Sequence, residues 1–569
     1  MHLPLCERDE GVAMACGGRW GARGGLRRRR WHAAWAWGGL LVLLCQPVAP
    51  AAARPEAEVV EEGDAADDDV GELEFAPETV EKSGPPSKAL IRALELYKGG
   101  DYYGASIELY SVVEGKTGDA ELHRQRAEFT LGKTLHHLGL FSAALSYFDR
   151  VIQKGEAHPF FGETLKWLAA LSQQLPEAVV AERLGKYKAK DLEQPVLARL
   201  RGELLYLLGR YHYGKQGVDQ AAALFAAVPR GTRLYARAKF MQGVSLVRLG
   251  RGREAAAAFK DVLRAARETP DTAEIARFEQ LALLALARVF YSTRQFEFSI
   301  KYYERIDEQS EDWPTALFES SWAHFMRNDF SKALGNIHTL NAPYFENMAF
   351  PESQVLRAVV YWKNCLYDQA EVALEDFNAR YPKLQGQVAA LLQRHRDPAE
   401  LYQQVLRLRE RKGDASPELQ RLLLATLGDQ QVRAALSYVE ELGRELKRID
   451  GAEAEWKASA IAGVLLQDVA LQKSFAESAV GELAQRRLQR YASEINELQK
   501  QALRVQYEII NGRKNTLETE LRAEQVTHSA REARPITVDD EHHFWPFDGE
   551  YWRDELGYYR VKIASMCGR

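Results

Sequence analysis

Gly209 and Gly243 lie 34 residues apart, and each opens one pattern: a small residue, Ala twelve places on and Phe sixteen places on, as in Ala221 with Phe225 and Ala255 with Phe259. The pattern returns at Gly132 (Ala144, Phe148), Ala287 (Ser299, Tyr303), Ser321 (Ala333, Ile337) and Ala358 (Ala370, Leu374), and in weaker form at Ala93 (Ala105, Leu109). The interval from Ala287 to Ser321 is again 34, while 39 and 44 elsewhere mean longer turns or helices. A unit of this length cannot bury its apolar face alone, so several must stack.

Thirty-four is the period of the tetratricopeptide helix-turn-helix unit. The small residue of the first helix is expected to face the Ala of the second, so that the backbones approach closely, while Phe or Leu fills the space against the next repeat. An acidic or small residue and an aromatic recur in the turns, as in Gly100-Asp101-Tyr102 and Asn328-Asp329-Phe330. The chain has 569 residues, 46% hydrophobic and 27% charged, is rich in alanine and leucine and poor in β-branched runs. That composition is globular and all-α. The expected fold is an all-α tetratricopeptide-repeat superhelix, an α-solenoid, over residues 88–382, with Pro382 ending the last repeat because helices seldom run through the residue before proline. Residues 159–195 miss the template and read as a degenerate repeat. A C-terminal helical region (383–530) and an aromatic-rich tail (531–569) follow.

The N-terminus reads as a targeting segment. Basic residues 27–30 precede an apolar stretch, 33–48, that ends in small residues up to Ala53, which is the order of a secretory signal and too short to favour a membrane span. Met14 is a sufficient start for such a signal. Cys45 raises lipidation, but Leu44 stands where a bacterial lipoprotein signal wants a small residue, so cleavage after residues 1–53 is expected. Residues 54–87 carry twelve acidic side chains against two basic ones, four prolines and few large apolar groups. Such a stretch cannot offset its ordering entropy and reads as an acidic disordered linker. The signal takes away seven basic and three acidic residues, so the mature chain is more acidic than the full chain's −5. This excludes general attraction to nucleic acid.

Apolar residues step by seven at Leu488, Ile495, Ala502 and Ile509, with Tyr491, Leu498 and Val505 offset by three. The seam marks a short coiled coil over about 485–512, through which a homo-oligomer could form, or a long helical hairpin; the other reading is an amphipathic helix packed against its own domain. Only Cys365 and Cys567 survive signal removal. One bridge between the repeats and the tail is open to them in an oxidising envelope, but two free buried thiols is the reading that needs no special geometry. The tail gathers Trp545, Phe547, Tyr551, Trp552, Tyr558 and Tyr559, too much aromatic surface to leave in water. It is expected to dock, on the chain's own helices or on a partner.

The run Ala316-Leu317-Phe318-Glu319-Ser320-Ser321-Trp322-Ala323-His324-Phe325, followed by Ala333-Leu334-Gly335-Asn336-Ile337-His338, resembles the repeats of exported tetratricopeptide proteins from gliding deltaproteobacteria. The tail from Trp545-Pro546-Phe547 through Gly549-Glu550-Tyr551-Trp552-Arg553-Asp554-Glu555-Leu556-Gly557-Tyr558-Tyr559 is similar to the end of those proteins. The likeness spans about Lys88 to the C-terminus. It implies a periplasmic or outer-membrane-associated scaffold of a gliding-motility or envelope machine.

Motifs of catalysis are missing from the sequence: there is no Gly-x-Ser-x-Gly elbow and no phosphate-binding Gly-x-x-x-x-Gly-Lys loop, and Gly250-Arg251-Gly252 belongs to a repeat turn. Asp539, Asp540, Glu541, His542 and His543 offer metal-type ligands, but adjacent side chains diverge and no Cys or third His stands at tetrahedral spacing. A metal-dependent or cell-wall hydrolase built on them is the alternative function. His136 and His137 read as a surface and packing pair. The expectation is a non-enzymatic scaffold without cofactor or metal, binding other envelope proteins. Residues one and four places after the small position point to the concave face in the template, which puts Tyr291, Trp322, Phe325 and Trp362 along one partner-binding groove.

Overall fold

The computed structural model describes residues 84–268, 273–345, 348, 350–410, 415–522, 543 and 547–567. The signal segment, nearly all of the acidic linker, and Asp539 to His542 lie outside them. Every regular element among the described residues is a helix. Helices α1 (Lys88–Lys98) and α2 (Tyr102–Val113), α3 (Glu121–His137) and α4 (Phe141–Lys154), α7 (Arg201–Gly214) and α8 (Val218–Ala226), and α9 (Tyr235–Arg248) and α10 (Gly252–Glu268) form antiparallel pairs. So do α11 (Ala273–Ser292) and α12 (Phe296–Tyr303), α13 (Trp313–Met326) and α14 (Phe330–Leu340), and α15 (Pro351–Lys363) and α16 (Tyr367–Arg394). Between the second and third pairs sit the short α5 (Thr164–Gln174) and α6 (Glu177–Leu184), the segment that misses the template. It is tied in by Glu177, which accepts from the Tyr206 hydroxyl at 2.8 Å and pairs with Arg237.

All three template positions of all seven matched pairs are buried, from Ala93, Ala105 and Leu109 to Ala358, Ala370 and Leu374. The chain is therefore a tetratricopeptide-type superhelix. One detail of the packing differs from expectation. The glycine of the first helix faces the Phe of its own repeat rather than the Ala: a β-carbon at Gly132 would lie 2.8 Å from the Phe148 ring, one at Gly209 would lie 2.7 Å from Phe225, and one at Gly243 would run into Phe259. The ring is too wide to interdigitate between two β-carbons, so the small position is cut out for it. In the turns, Asp101 and Asp329 cap α2 and α14, accepting from the Gly104 and Lys332 amides at 2.8 and 3.3 Å.

Pro382 does not end the array. Helix α16 runs on through it for another three turns and is followed by α17 (Pro398–Arg409), α18 (Pro417–Leu427), α19 (Gln430–Gly451), the single turn α20 (Ala454–Lys457) and α21 (Ala460–Arg522). At 63 residues α21 is roughly 95 Å long. The expected coiled-coil seam lies on it, but the chain fills that seam itself. Leu488, Ile495, Leu498, Ala502, Val505 and Ile509 are buried, and from Ile495 onward they share a core with Val355, Ala358, Phe377 and Tyr381 of α15 and α16. The amphipathic helix packed against its own domain is the reading realised, and the oligomer expected through this seam has no free seam to use.

Candidate interaction surface

The four aromatics assigned to a groove divide. Tyr291 is core: it is 7% exposed and packs edge-on against Phe296 of its own repeat at 5.3 Å. Trp322 and Phe325 on α13 and Trp362 on α15 are half-buried and do share a face, with Trp322 edge-on to Phe325 at 5.8 Å. That face is covered. Phe325 and Trp362 pack against the cluster built jointly by α15, α16 and α21, so the groove of the last repeats holds the chain's own long helix. Glu352 lies in this joint, accepts a hydrogen bond from Trp322, and has its carboxyl pushed up to about 7 by burial and then by the nearby Glu494 carboxylate of α21.

The same C-terminal helices reach the first repeats. Glu445 of α19, fully buried, accepts from the amides of Ser142 at 2.6 Å and Ala143 at 3.4 Å, in the first turn of α4. Leu140, at the cap position of α4, offers no side-chain acceptor, so the cap comes from a residue some 300 places along the chain. Burial pushes the Glu445 carboxyl up to about 7, against the pull of those amides. Beside it Arg448 donates to the Gly139 carbonyl at 2.7 Å, and Trp456 of α20 donates its indole N–H to the Ser106 hydroxyl of α2 at 2.9 Å. The helices after α16 thus clasp both ends of the repeat array.

Comparison with known proteins adds resemblance without relatives. No family model matches the chain, and no curated protein matches it. Among solved structures it is similar to a tetratricopeptide repeat protein from Parabacteroides merdae, at 12% identity over 51% of this chain and 91% of that one, with a TM-score of 0.23. It is also similar to the apo form of RapI, at 11% identity over 63% and 98% of the two chains with a TM-score of 0.30, and to yeast Tom70, at 13% over 68% and 95% with a TM-score of 0.17. Scores this low carry nothing about partners or activity.

The aromatic tail docks on α14, the second helix of its repeat. His338 is ringed by Phe547 at 4.5 Å, Tyr551 at 4.9 Å and Tyr559 at 5.0 Å. Leu556, which sequence reasoning passed over, is the buried anchor, 5% exposed among Trp313, Ala316 and Leu317. Gly557, in left-handed conformation, donates to the Thr339 hydroxyl at 3.1 Å and accepts from Lys332. The tail backbone then crosses α14 at Gly335, where a β-carbon would collide with the Tyr559 carbonyl. A glycine inside a helix costs about 1 kcal/mol relative to alanine, so Gly335 was the available signal of a close approach. Trp552 and Tyr558 stay exposed, Tyr558 donating to Glu308 at 2.9 Å; Trp545 lies outside the described residues.

Beyond Val561, whose amide donates to the Ser331 carbonyl at 3.1 Å, the tail reaches the α15–α16 turn. There Cys567 is bonded to Cys365, across 202 residues, with Cα atoms 5.1 Å apart. The expectation of two free thiols is overturned: the tail's docking brings the two cysteines together, which nothing in their spacing could show. His136 and His137 are packing residues, His137 stacked on Tyr102 at 4.5 Å and His136 edge-on to Trp167 at 5.1 Å. No group of three or more His, Cys, Asp or Glu able to hold a metal occurs among the described residues.

Proposed function

We propose that this chain is a non-catalytic protein–protein interaction scaffold, exported to the bacterial envelope and working in a gliding-motility or envelope-assembly machine. The observation that carries the scaffold reading is the clasp. A repeat array is held at both ends by its own C-terminal helices and strapped by a bonded tail, which makes a rigid frame whose remaining assets are helical faces. Export is supported by the Cys365–Cys567 bond, since such bonds persist in oxidising compartments. It is further supported by the signal-like residues 1–53, and among the described residues no helix is long and apolar enough to cross a membrane. The motility assignment rests on the likeness of the segment from Ala316 to His338 and of the tail.

With the last repeats covered by α21, partner binding belongs to the first-helix face of the earlier ones. That face carries cations against rings: Lys133 lies over Tyr97 at 4.7 Å and over Trp167 at 5.5 Å, and Arg248 over Tyr213 at 5.1 Å. Acidic or aromatic segments suit such a lining. Photo-crosslinkers placed at Lys133 and Arg248 in intact cells should capture envelope proteins, while one at Trp362 should mark only the chain's own α21. Capture of cytoplasmic proteins alone, or stoichiometric metal in the purified chain, would overturn the proposal.

A further inference from the structure

Helix α21 carries a second apolar seam, about 120° around the helix from the buried one. Leu503, Tyr507, Ile510, Leu517 and Leu521 are between 59% and 74% exposed. Their spacing alternates four and three, with Lys514 filling the one remaining step. The buried seam ends where Gly512 meets Tyr367 and Arg513 pairs with Asp368 at 2.6 Å and Glu371 at 2.7 Å. From Lys514 to Thr519 the helix is exposed on every side. The strip is therefore a coiled-coil face of roughly 28 Å, turned away from the repeats and continued past them.

We infer that this strip pairs with the same strip of a second copy, antiparallel, around a two-fold axis near residue 512. Charge decides the occupant and the direction. In a parallel pair Lys514 would sit in the seam directly against Lys514 of the second copy. In the antiparallel register Leu503 faces Leu521 of the second copy, Tyr507 faces Leu517, and Lys514 faces Ile510, where its stem lies on an apolar side chain and its charge reaches water. The flank agrees: Arg504 comes opposite Glu518 of the second copy, and the two-fold makes that pair twice. Arg513, the cation nearest the axis on the other flank, is already held by Asp368 and Glu371 of its own chain. The seam is self-complementary in shape and in charge.

Sedimentation of the full exported chain should show a concentration-dependent dimer. Leu517→Glu should remove it and, at dilutions where the parent is also monomeric, leave the melting temperature unchanged, because the side chain touches no core. Glu518→Arg should weaken the dimer and Arg504→Glu combined with Glu518→Arg should restore it, while Lys514→Leu should tighten it about tenfold, because it removes two seam charges, one from each chain. Tyr507→Cys together with Leu517→Cys should form bridges between chains, and Tyr507→Cys alone should not. A monomer at every soluble concentration, or bridging between chains by Tyr507→Cys alone, would each overturn the inference.

Discussion

Seven residues share one uncommon backbone conformation: Gly100, Gly139, Gln216, Gly250, Arg294, Asn328 and Cys365 all have φ between 56° and 81°. Each stands seven places after the small residue of its repeat, in the turn between the two helices. Only three are glycine, so this periodicity is invisible to a search for glycines, yet it fixes the register as firmly as the buried positions do. Side chains in this conformation cost about 1–2 kcal/mol, whereas glycine adds only about 0.4–1 kcal/mol of unfolded-state entropy. Arg294→Gly should therefore stabilise the chain by roughly 0.5–1 kcal/mol, read as a higher denaturant midpoint at unchanged slope. A lower midpoint would mean that the Arg294 side chain has a role of its own. The opposite outcome is expected at Gly243, where Leu would drive into the Phe259 ring and cost about 1–3 kcal/mol by overpacking.

At the scale of elements, what was legible in the sequence was periodic and what was missed was aperiodic. The seven helix pairs follow from small, Ala and Phe positions that all turn out to be buried, and the seam on α21 was legible as a seam. Its partner was not, because an a/d pattern states that a helix will be covered and leaves open by what. The tail's aromatics announced docking, but Leu556 and Gly557, which place it, look ordinary in sequence. Local sterics disfavour helix before Pro382 and make it look like a stop; burial of Leu384, Val388 and Leu391 beyond it, at about 1.5–3 kcal/mol each, outweighs the roughly 3 kcal/mol that an interior proline costs. Pro382→Ala should accordingly raise stability by about 1–3 kcal/mol and leave the fold unchanged. A loss of stability would show instead that a bend at Pro382 is required to lay α16 against α21.

The whole molecule is held together by contacts between residues hundreds of places apart, and the most telling of these is pH-sensitive. The Glu445 carboxyl, buried between α19 and the start of α4, is held up at about 7, while in the unfolded chain it would titrate near 4.3. A raised folded value means that the folded state holds the proton more tightly. Its contribution is therefore fully present below about pH 4.3 and is lost as pH rises through 7. The displacement amounts to roughly 3–4 kcal/mol across that window. Glu352, raised to about 7 at the other joint, acts with the same sign. The clasp should thus be tightest in mildly acidic conditions: the melting temperature should fall between pH 5.5 and 8, and exchange of the Ser142 and Ala143 amides should quicken more steeply than the pH dependence of free amides. Glu445→Gln keeps the side chain's size and one acceptor but cannot ionise, so it should raise stability at pH 8 and flatten the profile, with Glu352→Gln flattening it further. A profile unchanged in the double variant would place the pH response elsewhere, and amides at residues 142 and 143 that exchange like those of an open helix end would show that α19 does not cap α4.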